Sequence, residues 1–239
     1  LYINRLQAIA VGPRGEPWAD LDAGIGALGV AVDPDFAARG RIFLDELDRW
    51  DRVFRLTGYP TEAARVRHLL LDSLLFLPAL PVTASPLLDV GSGAGIPGLV
   101  LKLARPSWAV HLVEVNRRRA NFLRQVVRRL ALEAVTVHEA RAETLATRPD
   151  LAGSIAVVTA RAVAGPDAIL GLARPFLRPG GRLVIAVGPG RPPGVGILRR
   201  VTLPGLRIER TFLILGAGDP GGAEADVPRE TSGETWPES

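Results

Sequence analysis

The 239-residue sequence predicts an α/β protein: a parallel β-sheet flanked by helices, finished by an antiparallel hairpin and preceded by a helical module. Three observations carry this reading. From residue 86 onward, short apolar runs alternate with helical segments, the rhythm of a parallel sheet covered on both faces. The first apolar run leads into a glycine-rich turn, Gly91-Ser92-Gly93-Ala94-Gly95. Near the end the alternation breaks, and residues 197–203, the pair Pro204-Gly205 and residues 206–215 read as a β-hairpin.

Residues 1–18 read as an irregular arm and residues 19–82 as an N-terminal helical module. Within the module Leu44, Leu47, Val53, Phe54 and Leu56 recur at spacings that place them on one helix face. A second helix is expected from Thr61, with Glu62 behind it, through Phe76, ended by Pro78 and Pro81. The sheet domain spans residues 83–216. Strands are expected at 87–90, 109–114, 134–138, 155–160 and 183–187, the last preceded by a turn at Pro179-Gly180-Gly181. Helices fall at 97–104, opened by Pro97 in its first turn, at 117–130 and at 166–177. Residues 189–194 form a loop with too few residues behind it for a full helix, and 217–239, rich in Gly, Pro, Glu and Ser, read as a disordered tail.

Composition narrows the function. The chain is 47% hydrophobic and 23% charged, with no charge-free apolar run of about 18 residues, so no membrane span is expected. Cysteine is absent, which removes disulfides, thiolate metal sites and cysteine nucleophiles, and fits a cytoplasmic protein. His68, His111 and His138 are scattered without metal-ligand spacing, so no metal is expected. The net charge is +4, and Lys102 is the only lysine among 29 basic residues. Codon usage in a GC-rich genome accounts for this arginine excess as well as contact with RNA phosphates does.

The glycine-rich stretch fits two cofactors. Gly93, Gly95 and Gly98 match G-x-G-x-x-G, a dinucleotide fingerprint, while Asp89, Gly91, Gly93 and Gly95 give an acid followed by three alternating glycines. The apolar strand stops at Val90, so the turn begins at Gly91 and Gly98 falls inside the helix as a packing residue. Pro97 removes an N–H where a pyrophosphate would want a donor, and S-adenosyl-L-methionine has no phosphate to bind. Glu114, at the end of the second strand, suits the ribose hydroxyls of either cofactor. The terminal hairpin discriminates. A parallel sheet ending in an antiparallel hairpin marks the class I S-adenosylmethionine-dependent methyltransferase (Rossmann-like) fold.

With these residues in place, the chain resembles the RsmG (GidB) family from about residue 26 to residue 215. Asp89-Val90-Gly91-Ser92-Gly93-Ala94-Gly95-Ile96-Pro97-Gly98 is similar to its D-[IV]-G-[ST]-G-x-G-[FL]-P-G segment. Val113-Glu114 with Arg118-Arg119, Arg141-Ala142-Glu143 and Thr159-Ala160-Arg161-Ala162 resemble three further segments in the right order. Upstream, residues 50–57 resemble W-N-K-x-x-N-L-T, and Arg67-His68 with Asp72-Ser73 resembles R-H-x-L-D-S.

The resemblance implies methylation of guanine N7 in 16S ribosomal RNA, with S-adenosyl-L-methionine as cofactor. The substrate would be the RNA or a small ribosomal subunit precursor, and a monomer is expected. Gly91, Gly93, Gly95 and Ile96 would form the cofactor loop, and Glu114 would hold the ribose. Ala142 and Glu143 would frame the adenine, with Arg161 at the cofactor site. Arg67, His68, Arg118, Arg119 and Arg210 would face RNA. No catalytic acid or base is assigned, which agrees with a ring nitrogen that carries a free lone pair.

The chain departs from the family where Arg55 replaces the asparagine of N-L-T, Val187 a lysine and Thr211 a histidine, and where an acidic tail replaces a basic one. One extra residue separates His68 from Asp72, which in an α-helix would rotate Asp72 by about 100°. Most departures fall on the expected RNA side. The alternative reading is a relative that keeps the cofactor and has changed or lost its RNA target.

Overall fold

The computed structural model describes residues 17–161, 166–188 and 196–218. The arm at 1–16, the segment 162–165, the loop at 189–195 and the predicted tail from 219 onward lie outside the described residues.

Among the described residues, seven strands form one sheet in the order β3-β2-β1-β4-β5-β7-β6. They are β1 (Leu87–Val90), β2 (Val110–Val113), β3 (Val135–His138), β4 (Ile155–Arg161), β5 (Leu177–Val187), β6 (Ile197–Leu203) and β7 (Ile208–Gly216). The first five are parallel, and β7 runs antiparallel to both β5 and β6. All four residues of β1 are buried, as expected for a central strand covered on both faces. The chain order reverses between β1 and β4, so the loops leaving these strands border a crevice at the carboxyl edge of the sheet.

The fifth strand starts earlier than the sequence predicts. Pro179-Gly180-Gly181 does not precede it but forms a bulge inside it: β4 residues Ile155 and Val157 pair with Leu177 and Arg182.

Helix α1 (Pro17–Leu28) begins inside the predicted arm, and α2 (Phe36–Phe54) follows. In α2 the buried face is Phe36, Gly40, Phe43, Leu44 and Leu47, spaced by three and four. Leu56 is buried beyond the helix end, but Val53 is 70% exposed and Phe54 38%. The predicted apolar face is therefore wrong in the last turn, which extends past the core toward solvent. Arg55 then ends the helix in the left-handed region (φ 47°, ψ 63°), its N–H donating to the Asp51 carbonyl at 3.1 Å. Asparagine tolerates this conformation better than arginine. Arg55→Asn is expected to raise the unfolding free energy by about 0.5–1 kcal/mol, measured by urea denaturation.

The second helical run is α3 (Glu62–Arg65), a π-helical stretch (Val66–Leu71) and α4 (Asp72–Leu74), capped by Thr61 Oγ1, which accepts from the Ala64 N–H at 3.2 Å. The Asp72 N–H donates to the Arg67 carbonyl, five residues back. The wide turn takes up the extra residue noted in the sequence, so the expected 100° rotation of Asp72 does not follow. Asp72 instead faces the sheet, where Arg161 and Arg210 meet it.

The helical module shares its core with one face of the sheet. Helix α2 packs on α5 (Gly98–Ala104) and α6 (Arg117–Arg129), with Phe43 and Trp50 against Phe122 at ring-centroid distances of 6.1 and 5.8 Å. Buried Glu46 ties the elements together by accepting from Trp50 Nε1 (3.0 Å) and Arg129 Nη1 (2.7 Å). Lys102, the sole lysine, is also inside, donating to the Pro106 and Trp108 carbonyls at 2.6 Å each. A compact ammonium group suits this convergent pair of acceptors better than a planar guanidinium. The other sheet face packs beneath α7 (Ala142–Leu145) and α8 (Pro166–Ala173) through Leu145, Ile169 and Leu170.

Candidate active site

The loop after β1 lies at the crevice. Gly91, Gly93 and Gly95 have φ of 70°, 57° and 89°, so the alternating glycines occupy the left-handed conformations the turn requires. The Gly91 and Ser92 N–H groups both donate to the Val113 carbonyl, at 2.9 and 3.0 Å, folding the loop onto the end of β2. Glu114, the next residue after that strand, is buried. Its Oε2 accepts from Gly93 N–H (2.8 Å) and its Oε1 from Asn116 N–H (2.7 Å). The Asn116 side chain in turn caps α6, accepting from the N–H groups of Arg118 and Arg119.

Asp89 fixes the loop from beneath. Its Oδ2 accepts from Gly98 N–H (3.1 Å) and its Oδ1 from the Thr159 hydroxyl (2.8 Å), while Ser92 Oγ donates to its carbonyl (2.9 Å). Complete burial pushes the Asp89 carboxyl up to about 6, against these hydrogen bonds, which favour the ionised form. A Cβ on Gly98 would lie 2.5 Å from the Asp89 Cβ, so glycine is needed there for close packing of α5 on β1.

The loop forms one side of an open cleft through Gly91, Ser92, Gly93, Ala94 and Ile96. The helical module forms the facing side through Leu56, Thr57, Gly58, Tyr59 and Leu69, with Arg119 and Arg161 also contributing. The wall at 56–59 is pinned from behind. Asp51 accepts from the Thr57 N–H (2.9 Å), and buried Arg65 donates to Asp51 (2.9 Å), Asp48 (2.8 Å) and the Tyr59 carbonyl (2.8 Å).

Of the residues expected at the cofactor, Gly91, Gly93, Ile96 and Arg161 line this cleft. Gly95 packs beneath the loop, where a Cβ would lie 2.7 Å from that of Leu99, and Glu114 supports Gly93 from behind. Ala142 and Glu143 open α7 beyond β3, the first buried and the second exposed, and neither lines the cleft.

The residues expected at RNA divide into two groups. Arg119 lines the cleft, and the Arg118 guanidinium sits 5.4 Å from the centroid of the Phe54 ring. Arg67, His68 and Arg210 lie instead in the seam between helical module and sheet. Arg67 donates to the Leu206 carbonyl, His68 stacks on Tyr59, and Arg210 Nε lies 2.6 Å from Asp72 Oδ1. Arg161 joins them, its Nη1 3.0 Å from Asp72 Oδ2 and 3.2 Å from the His68 carbonyl. Burial holds the His68 ring below the usual histidine range; Asp72 opposes this, while Arg67, Arg210 and Arg161 reinforce it.

No sequence signal marked Tyr59 or Arg65 at the site, nor the bond from Thr159 to Asp89. The N-L-T resemblance ending at Thr57 pointed at the wall, but nothing in the pattern placed it opposite the glycine loop. His111 and His138, scattered in sequence, meet across β2 and β3 with Nδ1 and Nε2 3.1 Å apart. Among the described residues no group of three histidine or acidic side chains could hold a metal ion.

The N–H groups around the start of α5 are already used. Those of Gly95 and Ile96 donate to the Ser92 carbonyl, that of Gly98 to Asp89 and that of Leu99 to the Gly95 carbonyl, while Pro97 has none. No donor set remains there for a pyrophosphate, in contrast with dinucleotide sites. Combined with the antiparallel β7 beside a parallel β5, this defines a class I methyltransferase.

The model of the GidB family, rRNA small subunit methyltransferase G, matches residues 38–189, and the chain belongs to that family. A ribosomal RNA small subunit methyltransferase G from Desulfotalea psychrophila is 38% identical over 173 residues, covering 71% of this chain and 78% of the relative. Another, from Chromohalobacter salexigens, is 35% identical over 206 residues, covering 82% and 96%. An S-adenosylmethionine-dependent methyltransferase structure from Aquifex aeolicus superposes with a TM-score of 0.46 at 15% identity, covering 67% of this chain and 95% of that one. The protein is a small-subunit rRNA methyltransferase whose cofactor is S-adenosyl-L-methionine. The cleft fits that group: Gly91 and Gly93 carry no side chain to keep it off the backbone, and Ile96 gives an apolar wall. No helix among the described residues is long and apolar enough to cross a membrane.

Proposed function

We propose that the protein methylates N7 of a guanine in 16S ribosomal RNA, in the RNA itself or in a small-subunit precursor, as a cytoplasmic monomer. One observation carries the choice of atom. Among the described residues lining the cleft there is no carboxylate, histidine, lysine or cysteine to serve as base or nucleophile. A ring nitrogen needs neither, because its lone pair is free and no proton must leave. The bound cofactor supplies an already activated methyl group, so the protein's task is positioning.

In this reading Glu114 receives the ribose hydroxyls with the lone pairs that Gly93 and Asn116 leave free. Gly91 and Gly93 offer backbone, and Ile96 an apolar contact for the adenosine. Arg161, steadied by Asp72, faces the cofactor carboxylate, and the start of α7, Ala142 and Glu143, frames the adenine edge. Arg118 and Arg119 meet RNA phosphates, while Arg67, His68 and Arg210 act from within the seam by holding the helical module on the sheet.

The position of Arg117, Arg118 and Arg119 supports an anionic partner. They occupy the first turn of α6 with no acid there, at the end where a helix dipole disfavours cations. Arg118→Ala is expected to weaken RNA binding and flatten the slope of log affinity against log salt by about 1, with cofactor affinity unchanged. The functional test is the 16S RNA of a strain lacking the gene. It is expected to lose one 7-methylguanine that a plasmid copy restores. An unchanged pattern would point to a cofactor-binding relative with a different target.

A further inference from the structure

Tyr59 is the one aromatic ring among the described cleft-lining residues, facing the same space as Gly91, Gly93 and Arg161. Its backbone is fixed at both ends, the N–H donating to Thr57 Oγ1 (3.4 Å) and the carbonyl accepting from Arg65 Nε (2.8 Å). The His68 ring covers one side of it, nearly parallel at 15° with centroids 4.8 Å apart. We propose that Tyr59 is a catalytic residue: its ring stacks on the acceptor guanine and stabilises the positive charge that the base acquires.

This inference rests on the guanine-N7 reading. In that reaction the N7 lone pair forms the new N–C bond as the donor's C–S bond breaks. The bonding pair stays on sulfur, no proton moves, and the positive charge passes from sulfur to the purine. The two arginines of the cleft cannot favour that change. Arg161 is already balanced by Asp72, and Arg119 repels a cationic base. The face of an electron-rich ring attracts it, and more strongly in the transition state than before reaction, which is what acceleration requires. Burial disfavours a charge on His68, which would oppose the cation from behind. A flat base would extend the existing two-ring stack.

The test is single-turnover methylation of small ribosomal subunits by the full chain with Tyr59→Phe, Tyr59→Leu and a series of fluorinated phenylalanines at this position. Tyr59→Phe is expected to stay within about three-fold of wild type and Tyr59→Leu to fall by about ten-fold or more, with S-adenosylhomocysteine affinity unchanged in both. The rate should drop step by step as fluorine withdraws charge from the ring, a trend that a merely structural role would not produce. A Tyr59→Leu rate equal to wild type, or a flat fluorine series, overturns the proposal while leaving the guanine-N7 reading intact. A wild-type chain that places its methyl group on another atom overturns both.

Discussion

Glu114→Ala is expected to weaken S-adenosyl-L-methionine binding by about 100-fold or more, measured by calorimetry. The carboxylate does two things at once. In the proposed reading it offers lone pairs to the ribose, and it holds the Gly93 and Asn116 N–H groups at 2.8 and 2.7 Å. Alanine leaves both donors without a partner and removes the side chain that joins Gly93 to the start of α6. Hydrogen bonds to a charged acceptor contribute about 1.5–3 kcal/mol each, so losing the organisation of the loop along with the ribose contact reaches two powers of ten. Glu114→Gln keeps one acceptor and is expected to lie between, near ten-fold. An alanine variant that binds within about three-fold of wild type would remove Glu114 from the cofactor site.

Asp89→Asn is expected to change how stability depends on pH. The wild-type carboxyl, pushed up to about 6 by burial from an ordinary 3.8, keeps its proton where the unfolded chain has lost it. Its contribution therefore favours the folded state below pH 3.8 and disappears as pH rises through 6, a change of about 3 kcal/mol. His138 acts in the opposite sense. Burial, and then the neighbouring His111, pulls it to about 4 from 6.5, so the unfolded chain takes up the proton first and stability is lost as pH falls from 6.5 to 4. The two slopes oppose one another between pH 4 and 6. Asparagine removes one of them while its amide can still accept from Gly98 N–H and donate to Thr159 Oγ1. Urea denaturation of the variant should thus show stability rising more steeply with pH than wild type, by up to about 3 kcal/mol across that window. Parallel curves would mean that Asp89 titrates normally.

The strands and the glycine loop were legible because each depends on a local signal. Short apolar runs bounded by glycine and proline mark the strands, and the apolar run ending at Val90 placed the turn at Gly91. The reading of Gly98 as a packing residue holds for the same reason: a helix that starts after Pro97 must lay its first residue on β1. What was not legible depends on geometry that residue spacing does not encode. A π-turn and an α-helix of the same sequence differ only in which carbonyl each N–H chooses, so an inserted residue at 67–72 looked like a rotation. The contact of His111 with His138 requires the register of β2 on β3. The Tyr59 wall requires knowing that the helical module folds back over the carboxyl edge of the sheet. Arg67, His68 and Arg210 were placed at RNA by the family resemblance, and spacing gave no sign that the Leu206 carbonyl, Tyr59 and Asp72 would hold them in the seam.

The most direct test of the functional account supplies the purified chain with methyl-labelled S-adenosyl-L-methionine and small ribosomal subunits from a strain lacking the enzyme. After nuclease digestion of the 16S RNA, mass spectrometry should find the label in a single nucleoside, as 7-methylguanosine. Label on a different base or a different atom of guanine, or RNA that remains unlabelled, would contradict it.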